Sequence, residues 1–115
     1  MKYLILHGHF YQPPRENPFL GEIEKEISAS PAHDWNERIT NECYSPNAYS
    51  RILDGYGRIT DMSNNYQYIS FNFGPTLLDY IADKKPDLLK RILEEDKLSM
   101  ERLGYGNAIA KVYNH

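Results

Sequence analysis

Lys2-Tyr3-Leu4-Ile5-Leu6-His7-Gly8-His9 is the stretch on which the fold turns. Its apolar run reads as a strand buried on both faces. Gln12-Pro13-Pro14 must end that strand, because proline has no N–H to give a ladder. The counterpart is Tyr68-Ile69-Ser70-Phe71-Asn72-Phe73. Alternation there places Ile69, Phe71 and Phe73 on one face and Ser70 and Asn72 on the other. The chain between the two stretches is long enough for a helical crossover, so the strands are expected to be parallel.

Inside the crossover, Asn17-Pro18 predicts a helix start, with Asn17 as N-cap and Phe19, Leu20, Ile23 and Ile27 on one stripe. Ser45-Pro46 predicts another by the same logic, with Ala48, Ile52 and Leu53 inward and Gly55 as its stop. His33 to Tyr44 lacks a clear period. Beyond the second strand, Gly74-Pro75-Thr76 turns into a helix expected to hold Leu77, Leu78 and Ile81 on its inner stripe. A further helix is expected from about Pro86 to Leu103, broken at Gly104, and a last one from near Asn107 to His115. This order gives an α/β class. Two parallel strands cannot cover both faces of their own sheet, so most partners are expected beyond His115, with the chain truncated there.

Bulk composition agrees with an ordinary folded domain: 115 residues, 41% hydrophobic and 25% charged. The net charge of −3 has no basic face for phosphate, which excludes nucleic acid as the default partner. No apolar run reaches the length of a secretory core or a membrane span. Cys43 is the single cysteine, so no intrachain disulfide forms, and a cytoplasmic location is expected.

The chemistry concentrates in His7-Gly8-His9-Phe10-Tyr11-Gln12-Pro13. Residues two apart on a strand leave the same face, so His7 and His9 are expected side by side, at the strand end where parallel sheets build their sites. Gly8 faces the other way and is expected to admit a helix. Two such imidazoles can hold hydroxyl groups, share a proton or bind metal; hydrogen-bonded core histidines are the plain alternative. A zinc site needs further ligands, and His33, Asp34 and His115 show no spacing that ties them in. Ser70 and Asn72 form a polar pair that a substrate or neighbouring backbone must satisfy. Trp35 is expected to plug the mouth of the core, with an edge open to substrate.

Together these stretches resemble glycoside hydrolase family 57, the group of α-glucan-active amylases, glucanotransferases and branching enzymes. Its first motif, His-x-His-Gln-Pro, appears here as His7-Gly8-His9, two inserted residues, then Gln12-Pro13. The insertion matches a less characterised branch in which HDWNERI, FNFGPTL and GHGNAIA also recur. They stand here at 33–39, 71–77 and 104–110, with Tyr105 in place of the histidine. The resemblance implies the N-terminal part of a (β/α)7 barrel acting on α-glycosidic bonds with retention, which needs two carboxylates about 5–5.5 Å apart. Neither carboxylate motif is present, so the catalytic residues are expected beyond residue 115. The expected substrate-binding set is His7, His9, Gln12, Trp35, Asn72 and His115, for an oligo- or polysaccharide, an α-glucan in the first instance. Neither cofactor nor metal is expected. A metal-dependent hydrolase barrel and a non-enzymatic carbohydrate-binding piece are the other readings.

Overall fold

The computed structural model describes residues 2–109. Its centre is the expected parallel pair: β1 (His7–Phe10) lies beside β6 (Ser70–Phe73), with His7 opposite Ser70 and His9 opposite Asn72. The apolar run before His7, expected in a strand buried on both faces, is exposed and outside β1, because nothing among the described residues packs on it. A third segment touches the far edge of β6, where Phe71 and Ala108 form a parallel bridge. Phe71 N donates to Asn107 O, and Ile109 N to Phe71 O. The helix expected from near Asn107 is therefore extended chain through Ile109; its continuation lies outside the described residues.

Alternation gives the sheet two unlike faces. Phe10, Phe71 and Phe73 project to one side, where they meet Tyr44 and Tyr66. Leu77 and Ile81 of α3 (Pro75–Lys84) and Leu88 and Ile92 of α4 (Pro86–Leu103) close over this cluster. Full burial of each such aliphatic side chain contributes about 1.5–3 kcal/mol. Pro75 starts α3 where its missing N–H costs nothing, and Gly104 ends α4 at φ +82°. Gly8 is filled differently from expectation. The Phe10 ring lies over it, so that an added Cβ would stand 2.6 Å from Phe10 Cζ.

Two predicted helices in the crossover are not formed as expected. At Asn17 the expected cap has no helix to cap: Asn17 belongs to β2, and its Oδ1 accepts from Phe19 N and Leu20 N to close a local side-chain turn. The turn ends at once because Gly21 adopts φ +68° and sends the chain back, pairing β2 (Glu16–Asn17) with β3 (Glu22–Ile23) as a hairpin. Phe19, 94% exposed, shows why no helix continues: its apolar stripe has nothing to pack on.

The segment from Ser45 behaves similarly. Ser45 starts no helix, because the backbone before it is already helical; α2 (Ser45–Ala48) is a last turn, followed by a second hairpin of β4 (Ser50–Leu53) and β5 (Ile59–Ser63). Asp54 builds the connecting turn by accepting from Tyr56 N and Arg58 N, and Gly57 takes φ +78°. Gly55 thus belongs to a hairpin turn, not to a helix stop. The unassigned stretch contains α1 (Trp35–Ile39), followed by a π-helical turn at Thr40–Tyr44. With both hairpins projecting, the radius of gyration is 16.1 Å, against about 13 Å for a compact chain of roughly this length.

Candidate functional site

The polar face of the parallel pair is a ladder of side chains. His7 Nδ1 lies 2.8 Å from Ser70 Oγ, and His9 Nδ1 lies 2.7 Å from Asn72 Oδ1. Both contacts follow from register, since each histidine sits directly opposite its partner in the parallel ladder. Ser70 Oγ donates to Leu6 O, so it accepts from His7 Nδ1–H. Asn72 Oδ1 is an acceptor, so His9 Nδ1 also carries its proton there. The Asn72 amide then extends towards His7 Nε2 at 3.5 Å. Polarity on this strand face is thereby satisfied across the sheet.

Both imidazoles are on an exposed surface, and the residues leading into β1 share that exposure. Tyr3 and Leu4 are each 84% exposed. The ladder is therefore an open face, not the wall of a hollow.

The other expected binding residues are distributed. Gln12 is buried; its Nε2 donates to Tyr44 Oη, and its Oε1 accepts from Arg15 Nη2. Its carbonyl accepts from Thr76 Oγ1, which joins the end of β1 to the start of α3. Trp35 does not plug the core as expected: it is half-buried on α1 outside the aromatic cluster, with Nε1 donating to Ser28 Oγ and the Arg38 guanidinium 4.9 Å above its ring. The structure thus brings His7, His9 and Asn72 together and places Gln12 and Trp35 in separate networks. His115 lies outside the described residues. Among the described residues, no three His, Cys, Asp or Glu side chains gather as a metal-binding set. Among them too, no helix is long and apolar enough to cross a membrane.

A cleft of about 770 Å³ opens elsewhere, between the β2–β3 hairpin and the flank of α3. Its lining includes Pro13, Pro14, His33, Asp34, Glu37 and Tyr80, and neither His7 nor His9. Asp34 caps α1 by accepting from Glu37 N, while Glu37 Oε2 reaches back to His33 N. Asp34 also accepts from His33 Nδ1 at 2.9 Å. Tyr80 ionises at about 12, raised first by burial and then by the negative charges of Asp34 and Glu37. The Asp34-to-Glu37 spacing is a helix-cap signature that the sequence carries openly. Arg15 and Tyr80 carry no such local signal, because tertiary contact alone brings them here.

Comparison of the chain with family models finds no match, and comparisons with curated proteins and with solved structures find none either.

Proposed function

We propose that this chain is the N-terminal part of a larger carbohydrate-active barrel of the glycoside hydrolase family 57 type, in which His7 and His9 bind an α-glucan. The observation that carries this reading is the pairing of both imidazoles with Ser70 and Asn72 on one face of a parallel sheet. Imidazole, amide and hydroxyl groups in a row present donors and acceptors at strand spacing, which suits the hydroxyls of a sugar. The exposed apolar run from Tyr3 to Leu6, which leads into β1, supports a reading in which further elements pack against it. On this reading the catalytic carboxylates belong to those further strands, and the present residues hold substrate without cleaving it.

The test is a titration of the 115-residue chain with maltohexaose, read on the imidazole carbon-bound proton signals of His7 and His9. Saturable shifts in the millimolar range are expected, at least tenfold weaker in His9→Ala with its backbone spectrum retained. Unmoved His7 and His9 signals at saturating sugar overturn the proposal.

A further inference from the structure

The cleft between the β2–β3 hairpin and α3 plays no part in the His7–His9 ladder, and it has the attributes of a site of its own. Its volume of about 770 Å³ is within the roughly 300–1,000 Å³ range of small-molecule pockets. On its wall His33 is held by Asp34, whose side chain is 8% exposed and bonded through both oxygens: Oδ1 to Glu37 N and Oδ2 to His33 Nδ1. A carboxylate so occupied is not waiting for a cation; it fixes the imidazole, whose neutral form then offers Nε2 as an acceptor. Tyr80, half-buried on α3, lines the same space, and its hydroxyl meets no hydrogen-bond partner among the described residues. Pro13 and Pro14 add flat apolar surface.

We infer that this cleft is a second binding site, which takes one neutral polyhydroxylated ring, with the His33 imidazole and the Tyr80 hydroxyl as its polar contacts. Each sugar hydroxyl both donates and accepts. It can therefore give a proton to His33 Nε2 and receive one from Tyr80 Oη, while the apolar side of the ring lies on the prolines. An anion is disfavoured because the carboxylates on the walls, Asp34, Glu37, Asp79 and Asp83 with Glu16 and Glu22, outnumber the cations Arg15, Lys84 and Lys85. The choice of a sugar as ligand rests on the proposed function; the location of the site does not.

The same maltohexaose titration of the full chain separates the two, now read on the His33 and Tyr80 ring signals, with Tyr80→Phe and His33→Ala as variants. Saturable shifts at both rings are expected, at least fivefold weaker in each variant and unaltered in His9→Ala. Shifts at His7 and His9 without any at His33 and Tyr80 overturn this inference and leave the ladder reading standing. Shifts at His33 and Tyr80 alone support the cleft and remove the ladder. Silence at all four removes both. Spermidine moving the cleft signals where maltohexaose does not overturns the neutral-ring assignment.

Discussion

His9 and Asn72 face each other across the parallel pair, with Nδ1 of the imidazole 2.7 Å from the amide oxygen. The contact fixes which ring nitrogen carries the proton, and it exists because two residues 63 positions apart share a register position. A tautomer set in this way is a physical property that can be measured directly.

Asn72→Ala removes this acceptor and should shift the His9 ring away from Nδ1–H. Nitrogen-15 spectra of the imidazoles at pH 8 are expected to show Nδ1–H for His9 in the parent chain and a shift towards Nε2–H in the variant. The loss of stability is expected to be small, about 0.5–1 kcal/mol, because the pair is exposed to water. An unchanged His9 spectrum in the variant contradicts the assignment.

Gly8→Ala tests the packing of the other face. The new methyl would stand 2.6 Å from Phe10 Cζ and 2.8 Å from Cε2. The ring has little room to retreat, since Phe73, Tyr44 and Tyr66 hold it at centroid distances of 5.0, 5.6 and 6.0 Å. A loss of about 1–3 kcal/mol is expected in urea unfolding. A midpoint equal to that of the parent would show that the ring moves freely.

Asn107→Ala should detach the third extended segment. The Asn107 amide donates to Tyr66 O and Gln67 O and lies 3.1 Å from Ser99 Oγ, which anchors residues 107–109 beside β6. A loss of about 1–2 kcal/mol is expected, with faster hydrogen exchange at Phe71 N, whose acceptor is Asn107 O. Exchange at Phe71 that does not change would mean that other contacts hold the segment.

Alkaline pH should unfold the chain through its tyrosines. Burial holds Tyr66 well above the ordinary tyrosine value and, with the charges of Asp34 and Glu37, raises Tyr80 to about 12. In the unfolded chain both ionise near pH 10, so the folded state retains protons that the unfolded state releases. Stability from these groups is fully present below about pH 10 and is lost as pH rises through the folded values. Absorbance at 295 nm should show the last tyrosines ionising together with loss of the far-ultraviolet circular dichroism signal. All ten tyrosines titrating near pH 10 with the fold intact contradicts this account.

Where the sequence succeeded, a local pattern coincided with a tertiary partner. The β6 alternation was legible because Phe71 and Phe73 found a core and Ser70 and Asn72 found the two histidines. Asn17-Pro18 shows the opposite case. Asn17 was expected to cap a helix; its side chain instead closes a turn that serves either structure, and the left-handed Gly21 together with an unburied Phe19 gave a hairpin. For the same reason, Ile52 and Leu53 read as a helix stripe and stand in a strand, since a short apolar pair fits either period.

Sequence by itself determined the parallel strand pair, the common face of His7 and His9, α3, α4 and the glycine that ends α4, because strand parity, proline starts and a left-handed stop act over a few residues. Tertiary structure alone decided the Asn72 and Ser70 partnerships, the burial of Gln12, the extended path of residues 107–109 and the cleft that joins His33 to Tyr80. Those contacts join residues far apart in the chain, and their free energy depends on what else is packed nearby, which no local pattern encodes.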